Sequence, residues 1–141
     1  MNQQSIERIE QSFKLLAPRA EELADRFYAT LFAAHPEVRG LFPQDMHDQK
    51  RKIVAALTLV VKNIRDPQAL REPLLTLGER HAGYGCTEAQ YPAVRDALLE
   101  VMGAMAGDAW SEQLRADWTS AIDFVSQIMI EGQRRAAVAN A

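Results

Sequence analysis

The 141-residue sequence has one cysteine, Cys86, so an internal disulfide is excluded and a cysteine-based zinc site would need other ligand types. No apolar stretch approaches the roughly 20 residues that span a bilayer. The opening segment, Met1-Asn2-Gln3-Gln4-Ser5, lacks the apolar run of an export signal. The expectation is therefore a cytoplasmic protein with no membrane association. There is also no basic field. Sixteen Lys and Arg stand against 19 Asp and Glu, a net charge of −3, which argues against nucleic acid as a partner. Paired cysteines, Glu-x-x-His, Gly-x-Ser-x-Gly and phosphate-cradling glycine loops are all missing. No segment alternates with a period of two, so no strand is expected.

What is present is ordinary globular material, 48% hydrophobic and 25% charged. The length suits one domain with a real core, expected to span residues 1–141 with its ordered part at about 5–133. A second catalytic module of ordinary size would not fit beside it.

Apolar residues recur at helical spacing almost throughout. Ile6, Ile9, Phe13 and Leu16 mark a first helix over 4–16. Ala20, Leu23, Ala24, Phe27, Tyr28, Leu31 and Phe32 form a broad stripe over 18–34, with Pro18 in the first turn. Pro36 and Pro43 bracket a short segment ending in Leu41-Phe42. A helix over 48–64 carries Ile53, Leu57, Val60, Val61 and Ile64, and Asp66-Pro67 stops it. Pro73 lies inside the stretch 67–82 and predicts two short pieces there. After the corner Gly83-Tyr84-Gly85, a capping box with Thr87 as N-cap and Gln90 reaching back opens a long helix. Gly107 breaks it, and a last helix covers about 109–136, with a frayed Ala-rich end over 136–141. The fold class is all-α, with six to eight helices. An up-down bundle would use four long helices with fewer breaks.

The three histidines, His35, His47 and His81, are 12 and 34 residues apart, so no single helix can build a multi-histidine metal site. His35 precedes a proline at a helix end and is read as a cap. His47 lies in a polar turn and is read as solvated. His81 follows Leu74 and Leu77 at i, i+3, i+7, which points its imidazole with the apolar stripe. Two readings remain for it. It is a hydrogen-bonded core residue, or it binds a metal centre that brings most of its own ligands, as a haem does.

The run His35-Pro36-Glu37-Val38-Arg39-Gly40-Leu41-Phe42, preceded by Phe27-Tyr28, resembles the helix B to helix CD region of globins. It is most like bacterial single-domain globins and the globin domain of flavohaemoglobins. The later run Leu77-Gly78-Glu79-Arg80-His81-Ala82-Gly83-Tyr84-Gly85, then Tyr91-Pro92, resembles their proximal helix and the start of helix G. The resemblance covers about residues 5–133 in order. It implies a globin fold enclosing a non-covalent haem b (iron protoporphyrin IX), with no Cys-x-x-Cys-His to attach it covalently. By the same resemblance His81 is the proximal iron ligand through Nε2 and Phe42 packs on the haem face. Tyr28 and Gln49 form the distal polar pair, with Ile53 their apolar neighbour. Leu77 and Tyr91 join the pocket, Tyr91 as proximal support. Each residue also has a plainer reading. Phe42 and Ile53 could be core, Tyr28 could bond a backbone carbonyl, and Gln49 could be solvated. Lys52 and Arg80 could be solvated or could meet propionates. Trp110 and Trp118 are read as packing for the last helix, and Cys86 as a structural thiol.

A tyrosine hydroxyl and a glutamine amide can both donate to a ligand bearing partial negative charge, and such bonds strengthen in an apolar pocket. The resemblance thus implies reversible binding of O2 and other diatomic gases such as nitric oxide and CO. It implies an open or weakly occupied sixth position, Lys52 and Tyr28 being the other internal groups that could reach it. In flavohaemoglobins the proximal histidine is backed by a tyrosine and a glutamate, whose charge pushes electron density toward iron. Tyr91 matches the tyrosine, whereas the glutamate position falls at Gln133. Glu131 is about 200° away around a helix. The expected proximal push is therefore weaker. The alternatives are a nitric oxide dioxygenase served by a separate reductase, and a haem-based sensor or signalling module. The expected assembly is a monomer or weak dimer.

Overall fold

Asn2 opens the first helix, its side-chain oxygen accepting from the Ser5 N–H at 2.8 Å and so satisfying one donor that a helix start leaves free. In the computed structural model, which describes residues 1–139, six α-helices follow one another with no strand among the described residues. They are α1 (Gln3–Leu16), α2 (Ala20–Ala34), α3 (His47–Lys62), α4 (Gln68–Gly83), α5 (Gln90–Ala106) and α6 (Glu112–Ala139). Short 3-10 turns at Ala17–Arg19, Pro36–Leu41 and Gly107–Ala109 take up the proline and glycine breaks. The all-α expectation holds.

Three boundaries differ from the sequence reading. α4 runs unbroken through Pro73 rather than splitting there. Pro73 is exposed and sits early in the helix, so it removes one hydrogen bond near an end while Leu70, Leu74, Leu75 and Gly78 stay buried. α6 begins three residues later than expected, at Glu112, where the Ser111 hydroxyl accepts from the Leu114 N–H at 3.0 Å. It continues to Ala139 instead of ending near Ala136, because alanines are the strongest helix formers. The remainder of the expected frayed end, Asn140 and Ala141, lies outside the described residues.

Hydrophobic packing divides into two separate clusters. The larger joins α1, α2, α3, most of α5 and the first half of α6, around Ile9, Phe27, Met102 and Trp118. Trp118 is 1% exposed and donates its ring N–H to the Ser12 hydroxyl at 2.9 Å, which in turn donates to the Ile9 carbonyl. Asp117 is also buried there and receives two bonds from Arg8, at 2.5 and 3.1 Å, locking α1 to α6. Trp110 differs from the sequence reading, packing on Gly103 of α5 from the linker before α6. The smaller cluster is Leu70, Leu74 and Leu75 of α4, Tyr91 of α5, and Ile128 and Met129 of α6.

α4 packs closely on α6 and stands away from α3. The crossing depends on two glycines. A Cβ at Gly78 would lie 1.9 Å from the Met129 carbonyl oxygen, and one at Gly132 would lie 2.1 Å from that of Leu75. Only hydrogen fits at either position. Gly85 ends the corner after α4 with φ +83, a conformation that favours glycine, and its open side faces Leu41.

Candidate functional site

The division between the two clusters crosses α5 between Tyr91 and Val94 and α6 between Ile122 and Val125, and along this seam Ala93, Val94 and Val125 are half-buried. Phe42, Met46 and Ile53 are half-buried against the larger cluster and Leu77 against the smaller. His81 lies on the last turn of α4, half-buried, its ring beside Tyr91 of the smaller cluster. Its Nδ1 lies 2.8 Å from the Leu77 carbonyl oxygen. A carbonyl only accepts, so Nδ1 carries the proton and Nε2 keeps its lone pair. Burial lowers the imidazole pKa and the Leu77 carbonyl partly opposes that, so the ring stays neutral near pH 7. A neutral, oriented imidazole is the form that ligates metal.

The Tyr84 and Tyr91 rings flank His81, at 5.8 and 6.5 Å between centroids. The Tyr91 hydroxyl donates to Oε1 of Gln133 at 2.8 Å, and Nε2 of Gln133 donates to the Cys86 carbonyl. Burial, followed by Cys86 and Glu88, pushes the Tyr91 hydroxyl well above its usual range. Gln133, the position that the resemblance gives to the proximal glutamate, is thus hydrogen-bonded to Tyr91. The capping box is half realised, with the Gln90 side chain reaching back to the Thr87 N–H at 3.1 Å while α5 begins at Gln90. Cys86 is half-buried, and burial pushes its thiol pKa up, which suits an inert thiol.

In the larger cluster α2 and the turn before α3 bring four rings together. Tyr28 meets Phe27, Phe32 and Phe42 at 4.8, 5.8 and 5.6 Å, and Arg39 lies over Phe32. Burial raises the Tyr28 hydroxyl to about 12. That hydroxyl donates to the backbone carbonyl of Gln49 at 3.3 Å, the plainer use foreseen for it. The contact also places Tyr28 next to the first turn of α3, where the half-buried Gln49 side chain makes no hydrogen bond among the described residues. Ile53 follows one turn later on the same face. Lys52 and Arg80 are exposed and pair with no carboxylate among the described residues. His35 caps α2, its N–H donating to the Leu31 carbonyl, and its Nδ1 is 3.3 Å from Glu37. His47 is exposed in the first turn of α3.

The residues present suit a flat apolar group that supplies most of its own metal ligands, since they offer half-buried aromatic and aliphatic side chains and a single imidazole with a free lone pair. Among the described residues no three His, Cys, Asp or Glu side chains gather to hold a bare ion. No helix among them is long and apolar enough to cross a membrane. The sequence reading missed the Leu77 carbonyl behind His81 and the glycine contacts between α4 and α6. Two glycines inside helical stripes, Gly78 and Gly132, were the available signal for the last.

The globin family model matches residues 25–129. The flavohemoprotein of Rhizobium meliloti is 26% identical over 132 residues, which is 92% of this chain and 33% of that protein. The flavohemoprotein of Rhodopirellula baltica is 27% identical, over 92% of this chain and 33% of its own length. The chain therefore spans about a third of these relatives. A bacterial globin from Campylobacter jejuni superposes with a TM-score of 0.86 at 22% identity, over 96% of this chain and 99% of that one. An engineered carbene transferase from Rhodothermus marinus, provisionally described as a nitric oxide dioxygenase, superposes with a TM-score of 0.89 at 23% identity, over 99% and 97%.

Proposed function

The chain belongs to the globin family, and from that premise we propose that it holds a non-covalent haem b in the seam and binds O2 reversibly, along with nitric oxide and CO. The observation that carries the reading is His81, held by the Leu77 carbonyl with Nε2 free, beside Tyr91 where the smaller apolar cluster borders the larger. Haem would supply an iron able to take a diatomic ligand. His81 would hold it through Nε2. Phe42, Ile53 and Leu77 would give it apolar surroundings and exclude water. Lys52 and Arg80, exposed and unpaired among the described residues, meet the carboxylates at the solvent edge. Tyr28 and Gln49 would donate to the bound ligand, Gln49 from its amide and Tyr28 by turning its proton away from a 3.3 Å contact that is long for a hydroxyl donor. Tyr91 supports the proximal side by packing, its ring beside His81 and its hydroxyl held by Gln133. With His81→Ala, recombinant protein should lose haem uptake and the ferrous-oxy spectrum; an unchanged spectrum refutes the assignment.

The second reading, a nitric oxide dioxygenase served by a separate reductase, draws on the flavohemoprotein relatives, of which this chain matches only a third. Turnover measured with an added reductase tests it. Absence of sustained turnover under any reductant removes it and leaves the first reading intact. The proximal side, backed by the amide of Gln133 instead of a carboxylate, favours binding and release.

A further inference from the structure

The Gln133 side chain uses both ends of its amide. Oε1 accepts from the Tyr91 hydroxyl and Nε2 donates to the Cys86 carbonyl, so one residue of α6 ties the corner after α4 to the start of α5. The Cys86 N–H in turn donates to the His81 carbonyl at 3.2 Å, so the tie reaches the backbone of His81 within one peptide. A carboxylate at position 133 could accept from Tyr91 but could give nothing to Cys86, and would set two acceptors against each other. The site is therefore built for an amide. A tyrosine hydroxyl has one proton, and here it points at Gln133. The His81 Nδ1 proton points at Leu77. Nothing joins the two rings, whose centroids are 6.5 Å apart.

We propose that Gln133 is a positioning residue that clamps the corner beyond His81 and holds the Tyr91 hydroxyl off the imidazole, so that the Leu77 carbonyl alone polarises His81 and the proximal side carries no charge. This rests on His81 being the axial ligand and adds why the site favours release over chemistry on the ligand, since an uncharged neighbourhood leaves the imidazole less basic.

The test uses the full chain, loaded with haem and haem-free, as Gln133→Leu, Tyr91→Phe and the double variant. The loaded forms are read by the ferrous iron–histidine stretching band. Tyr91→Phe alone leaves the band in place. Gln133→Leu shifts it, because the freed hydroxyl turns to the imidazole, and adding Tyr91→Phe returns it to the wild-type position. A purely packing role for Gln133 would give a shift that Tyr91→Phe does not reverse. A band that moves in Tyr91→Phe alone, or stays fixed in Gln133→Leu, overturns the proposal. In the haem-free chain, amide exchange at residues 86–88 accelerates about tenfold in Gln133→Leu, the loss of one hydrogen bond; unchanged exchange refutes the clamp. If wild-type protein takes up no haem, the axial reading of His81 fails, while the exchange result still decides the clamp.

Discussion

Gly78→Ala adds one methyl group where α4 meets α6. Its carbon would lie 1.9 Å from the Met129 carbonyl oxygen, against the roughly 3.3 Å of a close C–H···O approach. The backbones must therefore part by about 1.4 Å at the crossing. A gap of that size forfeits much of the dispersion between Leu74 and Leu75 on one helix and Ile128 and Met129 on the other. Alanine recovers about 1 kcal/mol of helix propensity. Overpacking costs typically 1–3 kcal/mol, and a backbone oxygen cannot rotate away as a side chain can. With the cost at the top of that range, the net expectation is a loss of about 2 kcal/mol, measured by urea unfolding of the haem-free chain with circular dichroism. Gly132→Ala should cost a similar amount, since its carbon would meet the Leu75 carbonyl at 2.1 Å. The double variant should cost at least about 1 kcal/mol less than the sum, because one separation relieves both clashes. His81 lies one turn beyond Gly78, so haem uptake should weaken in step. A Gly78→Ala variant within about 0.5 kcal/mol of wild type, or strictly additive losses, would refute the account of the crossing.

Three further outcomes can be measured. Tyr28→Phe should speed O2 release from the loaded protein by roughly 10- to 150-fold, the worth of one hydrogen bond to a charged acceptor; an unchanged stopped-flow off-rate would mean that the hydroxyl stays on the Gln49 carbonyl. For Asp117, burial raises the carboxyl pKa, but hydrogen bonds from Arg8, Ser5 and Gln113 outweigh it and hold the pKa below the ordinary value. The unfolded chain then binds the proton first, so this stabilisation is complete above about pH 4 and is lost as pH falls through the folded value. Asp117→Asn should flatten that part of a urea-midpoint profile, and a profile parallel to wild type would refute it. For the haem-free chain, His81 titrates lower folded than unfolded, so its contribution is complete above about pH 6.5 and declines below it. His81→Ala should remove that decline, visible as a flatter midpoint between pH 7 and 5.

Helical stripes were legible in the sequence because burial repeats every turn: Leu23, Phe27 and Leu31 read directly as one face and are buried as one. Pro73 misled because a proline's local cost was weighed without the packing that α4 gains on α6. His81 was legible as a buried imidazole from its spacing to Leu74 and Leu77. Its orientation was not, since the partner of Nδ1 is a backbone carbonyl that every helix offers and no residue type announces. The resemblance gave Gln133 the glutamate position, but its bonds to the Tyr91 hydroxyl and the Cys86 carbonyl depend on how a corner folds. The Gly78 and Gly132 contact required knowing which helices cross, which periodicity within one helix cannot tell.

A core in two unjoined parts also bears on how much of this protein a cell would keep. If haem is what fills the seam, part of the folding free energy arrives with a metabolite. At a free concentration 100 times its dissociation constant, a ligand adds about 2.7 kcal/mol. A margin of that size separates chains that persist from chains that proteases clear. Steady-state abundance would then follow haem supply with no change in transcription, and the cell would accumulate the protein only as fast as it can be filled.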